Sequence, residues 1–580
     1  MERRRKLDSA GLAGIRCPLI SFKVLTILAC YTTLAFGQTR PDSDALQKAQ
    51  RFADKEQWQE LITLAESIPT RSPDLNYLYG TALAHLARWL QAHQVFQEGE
   101  GALPADERFP LELAGVDFKQ KRYAEAVTHL RRALRLKPDD EYANEFLATV
   151  YFSEGNLEAA LKYWNRVNKP MLASAKLRPR PHIDPALLDR AFTFAPASTL
   201  RHEDLSTSEA RVRGLGIFPS FDFELQARED GQFDLLVRNQ ERNGFGRNRL
   251  EALVRNLRGL PAQTVNPEFY NLHNRAINII SMYRWDAEKR RVFAELSGPL
   301  RLDPKRRVSL SLDLRGENWD IRSSFTGQVP LLGSFNLRRE ALHAEITTFE
   351  SGRWSWSAGA ELSHRDFRDI FLGSALTPEL LSKGYQLKQI TGARFDLLRL
   401  PERRFTITSG VFSEAGRTWS NPVHGFEKLQ ASLRLHWLPQ AQGDDYELQH
   451  EFRGGKTWAS VPFDELFTLG GLGDNNLMMR GHVATRGGRK GSGPLGTNYF
   501  LSNWEIDKNV FHRGFVAVKL GPFLDTGKIT DPLPGLGSHR WLWDTGGQVK
   551  VRAFGFGVAL VYGRDLRSGN NAFFVTMLSH

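Results

Sequence analysis

The sequence predicts a multidomain chain: an all-α solenoid, then a small α+β domain, then a C-terminal antiparallel transmembrane β-barrel of about 16 strands. Three observations carry this. Small residues recur every 34 positions near the N-terminus. A Leu-Gly-x-Phe step with a hairpin signal follows, and from about residue 248 onward apolar and polar residues alternate. A period of 34 marks stacked helical hairpins; a period of two marks strands with one apolar face.

Residues 1–37 are expected to be an export signal. Arg3, Arg4, Arg5, Lys6, Arg16 and Lys23 form a positive n-region, and Val24 to Leu34 an apolar core. Ala35-Phe36-Gly37 then sets small residues where a signal peptidase reads them, before Gln38. A membrane anchor and a lipidated Cys30 are the rival readings. The apolar run is too short to cross a ~30 Å core as a helix. Cys17 and Cys30, the two cysteines, both lie in this segment, so a mature chain would carry neither a disulfide nor a thiolate metal site.

Residues 38–168 carry the repeats. Gly80, Ala114 and Ala148 form one series, and Ala92, Ala126 and Ala160 a second. Phe96, Leu130 and Trp164 follow the second series four positions later. Small residues let paired helices approach closely, and the large residue fills the space beside them. Pro104 and Pro138 close two units; residues 44–73, with Trp58 and Leu61, read as a degenerate first repeat. A generic helical bundle is the alternative.

Residues 169–243 change pattern. Met171 to Leu177 is the candidate first strand, Asp184–Thr193 and Asp204–Leu215 are helix-like, and Phe221–Leu225 and Phe233–Val237 read as strands around Asp230-Gly231. Residues 248–580 alternate: Val308, Leu310, Leu312 and Leu314 against Arg307, Ser309, Ser311 and Asp313, for example. A barrel strand shows lipid only every second residue, so the absence of a long apolar run does not count against a membrane span. Charged residues on the other face suggest a water-filled lumen. Trp285, Trp319, Trp437 and Trp504 suit interfacial girdles. A soluble β-sandwich is the rival fold.

Hydrophobic content of 41% and charged content of 25% suit folded protein. The net charge of +11 is spread along the chain with no dense basic block past the N-terminus, which argues against a nucleic-acid partner. The sequence holds no nucleophile elbow, no His-Glu-x-x-His and no phosphate loop. His512, His539 and His580 lack metal-ligand spacing. Neither an enzyme, a cofactor nor a metal is expected.

Three segments resemble known families. The 34-residue register resembles the tetratricopeptide repeat. The order strand, two helices, two strands, with Leu215-Gly216-Ile217-Phe218 before the hairpin, resembles a POTRA domain. Phe467-Thr468-Leu469-Gly470-Gly471, Met479-Arg480-Gly481-His482 and Phe523-Leu524-Asp525-Thr526-Gly527 resemble the outer-membrane assembly and secretion superfamily of BamA, TamA and the TpsB transporters. That resemblance implies a loop folded back into the barrel, with Arg480 bridging Glu505, Asp525 or both, and Gly527 allowing close approach. His482 stands where the family usually has Phe or Tyr, and the chain ends in His580 instead of an aromatic residue. The implied setting is the bacterial outer membrane, with the N-terminal domains in the periplasm. The implied partners are outer-membrane lipid, a polypeptide client, and a periplasmic or accessory protein held by the repeats. The implied function is insertion or translocation of polypeptides; a dedicated two-partner-type secretion pore and a passive channel with a repeat scaffold are the alternatives.

Overall fold

The computed structural model describes residues 41–580 except 247–251, 254–255, 257–258, 261–262, 421–422, 441–444, 472–474, 514–515, 533–539, 554–555 and 579–580. The export signal with both cysteines, the barrel start at Asn248, His539 and His580 lie outside the described residues. The chain divides into two compact units. The first holds the helical region through Ser174 with Pro196–His202 and Leu225–Asp234; the second holds Ala175–Ala195, Glu203–Glu224 and the chain from Leu235 on. The segment 169–243 is shared between them.

Among the described residues of the first unit eight helices form successive hairpins: α1 Pro41–Asp54, α2 Trp58–Glu66, α3 Pro73–His85, α4 Trp89–Ala102, α5 Arg108–Lys119, α6 Tyr123–Leu136, α7 Glu141–Ser153 and α8 Leu157–Trp164. Local signals set their starts. Ser72, Asp140 and Asn156 accept the free N–H groups of Leu75, Ala143 and Ala159. Pro104 and Pro138 fall in the links after α4 and α6, where no helical N–H is needed.

All nine repeat-signature residues, Gly80, Ala92, Phe96, Ala114, Ala126, Leu130, Ala148, Ala160 and Trp164, are buried. The closeness is measurable at Gly80, where a Cβ would lie 2.5 Å from the Phe96 ring. Replacing Gly80 with Val overpacks this contact and should cost about 1–3 kcal/mol. Thermal unfolding of the helical signal should show a lower midpoint; an unchanged midpoint would contradict the close-packing account. At the far end of the solenoid the Phe152 and Trp164 rings pack on Phe233, at 6.2 and 5.3 Å.

The next elements are β1 Leu172–Arg178, α9 Pro185–Ala191, α10 His202–Gly214, β2 Ser220–Ala227 and β3 Phe233–Gln240. The strands form a sheet in the order β1-β3-β2. The central strand alternates, burying Leu235 and Val237. Gly231 takes φ +78° in the hairpin turn, a conformation that suits glycine. Ile183, Leu187, Ala191, Val212, Leu215, Ile217 and Phe218 make one apolar cluster, so the Leu215-Gly216-Ile217-Phe218 step delivers three side chains to it.

Among the described residues, the remainder of the second unit is a closed antiparallel barrel containing nineteen strand segments. Three are two-residue pieces of an inward loop, Phe467–Thr468, Thr485–Arg486 and Arg489–Lys490, and Thr264–Val265 and Glu268–Leu272 pair in one register with Ile277–Trp285 as a single strand, so the sixteen remaining segments make fifteen described wall strands. No helix among the described residues is long and apolar enough to cross a membrane. Alternate side chains face outward: Leu310, Leu312, Leu314, Leu342, Leu362, Leu387 and Leu429 are all exposed. Their neighbours face inward, where Lys289, Glu317, Arg339, Arg365 and Lys388 are buried.

Two expectations change here. Trp319 is not a girdle residue. It shares inward parity with Arg315 and Glu317 and stacks inside on Phe335 (5.8 Å) and against Phe463 (5.1 Å). Trp285 and Trp437 remain exposed near strand ends, and Trp504 is exposed within Leu495–Arg513. Nor are the inward charges simply solvated, because the loop between Ala459 and Leu495 covers many of them and adds an apolar cluster through Phe463 and Leu466.

Candidate functional site

The candidate site is this inward loop and the wall it grips. Its tip, Arg480-Gly481-His482, is placed by a ladder of one amide and three acids. Asn503, Asp525, Asp544 and Asp565 occupy four adjacent strands, each directly opposite the next: Asn503 pairs with Asp525, Asp525 with Asp544, and Asp544 with Asp565. Period-two geometry then points all four side chains to one face.

Arg480 satisfies its guanidinium almost entirely against this wall. Nε donates to Asp525 Oδ2 at 2.9 Å and Nη2 to Oδ1 at 2.6 Å, a two-pronged carboxylate contact. Its backbone N–H also donates to Asp525 Oδ2 at 2.9 Å. Nη1 donates to Glu505 Oε2 at 2.9 Å and Gln548 Oε1 at 3.1 Å. The guanidinium carbon lies 3.9 Å from the centre of the Phe523 ring, which adds a cation–π contact. Lys550 donates to Glu505 and Asp507, at 2.6 Å each. Gly481 donates its N–H to Asp544 at 2.6 Å, and His482 Nδ1 meets Asp544 at 2.9 Å with its Nε2 3.7 Å from Asp565. His482 therefore sets a polar ring between two carboxylates.

Close approach depends on missing side chains. A Cβ on Gly527 would lie 2.8 Å from Met479 Sδ, and one on Gly563 2.0 Å from the Arg480 carbonyl oxygen. Gly487 and Gly488 form the turn between Thr485–Arg486 and Arg489–Lys490, with φ of +57° and +72°. Two successive positive φ values match the two-residue hairpin turn that favours glycine.

Two further anchors complete the grip. At the loop's start Glu465 sits among Lys388 (3.0 Å), Arg339 (3.4 Å), Arg365 (3.5 Å) and Lys428 (3.7 Å), which come from four different strands. Asp464 adds a 3.3 Å contact to Arg365. At its end Lys490 lies 3.5 Å from Glu317, Arg489 donates to Asp320 at 3.2 Å, and Thr485 donates to Glu288 at 2.7 Å. The loop thus ties three arcs of the wall together across the lumen.

The structure brings Arg480, Gly481, His482, Glu505, Asp525 and Gly527 into one place. Sequence reasoning missed Asp544, Asp565, Gln548 and Lys550, and the Glu465 anchor. One signal was available: Asp544-Thr545-Gly546 repeats the Asp525-Thr526-Gly527 pattern one strand later. Asp464-Glu465, two adjacent acids just ahead of the Gly-rich loop, was another.

A tetratricopeptide repeat model matches residues 117–170. No curated protein sequence matches the chain. Among solved structures, the chain is similar to BamA from Haemophilus ducreyi lacking POTRA domains 1–3, at 11% identity and TM-score 0.43, covering 70% of this chain and 84% of that one. It is also similar to CdiB from Escherichia coli, at 13% identity and TM-score 0.45, over 71% of this chain and 75% of that one. The crystal structure of MamA matches 22% of this chain and 75% of its own, at 16% identity and TM-score 0.21.

Proposed function

We propose that this protein is an outer-membrane factor that inserts or translocates polypeptides. In this reading the solenoid and the small α+β domain (residues 38–168 and 169–243) face the periplasm and receive the client, and residues 248–580 form the barrel. The observation that carries the reading is the loop strapped across the lumen at three anchors. A strapped lumen suits a gated or lateral route and disfavours a standing channel. The outward leucines suit contact with lipid. The wall also offers a place to open. Among the described residues its last strand, Asn571–Met577, has seven residues, and its first pieces, Thr264–Val265 and Glu268–Leu272, have two and five, against up to nineteen elsewhere. Short ladders carry fewer hydrogen bonds and part first. Client folding would supply the driving force, with no catalytic group and no cofactor.

Depletion of the protein tests this, with outer-membrane and secreted proteins quantified and an Arg480→Ala chain supplied as rescue. Several outer-membrane barrels should decline, and the variant should fail to restore them. Loss of a single exported protein would assign a dedicated secretion pore instead. An unchanged set of both would overturn both readings.

A further inference from the structure

We propose that His93, Asp117 and His129 form a binding site for a first-row divalent metal ion, zinc by their donor set, that clamps two consecutive hairpins of the solenoid. The inference is independent of what the barrel does, and it departs from the sequence-based expectation of a chain without metal. The three residues lie on α4, α5 and α6. His93 Nε2 is 3.6 Å from Asp117 Oδ1, and His129 Nε2 is 3.6 Å from Asp117 Oδ2. The three donor atoms all lie within 4.8 Å of one another.

These separations are too long for hydrogen bonds. They are close to the ~3.3 Å that separates donors around a tetrahedral ion with bonds of about 2.0–2.1 Å. The lumen shows the contrast: there His482 meets Asp544 at 2.9 Å, an ordinary hydrogen bond. In the solenoid two imidazoles and a carboxylate converge and stop short of one another, as groups do around a shared ion.

Asp117 supplies the second observation. Its side chain is completely buried, and among the described residues its Oδ2 has no hydrogen-bond partner. Such an oxygen is costly unless a ligand or cation meets it. Its other oxygen, the one nearer His93, accepts from Arg122 Nη2 at 2.6 Å, which fixes the carboxylate plane and leaves Oδ2 facing His129. The remaining charges beside the cluster, Glu100 and Arg132, pair with each other at 2.8 Å. Both histidine side chains keep about a fifth of their surface exposed, which leaves an entry path and room for water as a fourth ligand. Two nitrogens and one carboxylate suit zinc better than calcium or magnesium, which favour oxygen shells. The intervals of 24 and 12 residues match no metal-binding motif, because the site is made by hairpin stacking.

The test uses the full chain in detergent, stripped of metal by a chelator. Titration with Co²⁺ should give one bound equivalent with a visible d–d spectrum, and Zn²⁺ should displace it. His93→Gln and His129→Gln should each lose this equivalent, while His482→Gln keeps it. Zinc should also shield His93 and His129 of the unaltered chain from diethylpyrocarbonate, read by peptide mass spectrometry, which needs no variant to fold. Absence of binding, binding unchanged in the two glutamine chains, or no zinc-dependent shielding of the two rings would each overturn the proposal.

Discussion

Replacing Arg480 with Ala should free the loop tip and unsettle the lumen. Asp525 is fully buried and Arg480 nearly so, so the change removes one partner of a buried pair and strands the other. That situation typically costs about 3–5 kcal/mol. Glu505 retains Lys550, and Asp525 retains Asn503 at 2.8 Å, so the loss falls mainly on docking of the loop. The Gly481 and His482 contacts to Asp544 are weaker ties and should loosen with it. Two measurements read this: protease cutting within residues 460–494, and conductance in planar bilayers. The unaltered chain should resist cutting and stay closed, whereas the variant should be cut and flicker open. Adding Asp525→Asn should recover part of the loss, because the stranded charge is then gone. Identical cutting and conductance in the unaltered and Arg480→Ala chains would mean that the other two anchors hold the loop alone.

Much of this architecture was legible because it rests on short-range periodicity. The solenoid register depends on small residues at fixed intervals, and each proved to be a buried contact point. The barrel strands alternate over most of their length, broken by a few register shifts, and Trp319 shows how far that rule reaches. Its parity with Arg315 and Glu317 already placed it inside, and assigning it to a girdle weighed its residue type over its position. Arg480, Glu505 and Asp525 were legible only through a family resemblance, since the residues lie 25 and 45 positions apart. Asp544 and Asp565 join the site through strand register, which no single sequence fixes. The Glu465 anchor gathers cations from strands spread over nearly a hundred residues. His93, Asp117 and His129 escaped for the same reason: ion pairs and metal sites are set by tertiary neighbours, whereas core packing leaves a periodic trace.

Gly563→Ala should reproduce the Arg480→Ala outcome without touching a charge. The new Cβ would lie 2.0 Å from the Arg480 carbonyl oxygen and 2.5 Å from its carbon. Both are backbone atoms, so no flexible side chain can swing aside, and either the loop tip or the strand Phe556–Asp565 must move. The strand is the stiffer partner, being hydrogen-bonded to neighbours on both sides. Gly563 is not in the left-handed region, so alanine is compatible with the strand itself. Gly547 provides the control. It lies in the adjacent strand, and its Cβ would come no closer than 3.9 Å to another atom. Gly547→Ala should therefore behave as the unaltered chain in cutting, conductance and rescue of depletion. Failure of Gly563→Ala alone would assign the effect to seating of the loop, with every carboxylate and the guanidinium still in place. If both alanine chains rescue fully, the wall tolerates displacement of the tip, and the Arg480 contacts matter through charge compensation instead of through the position of the loop.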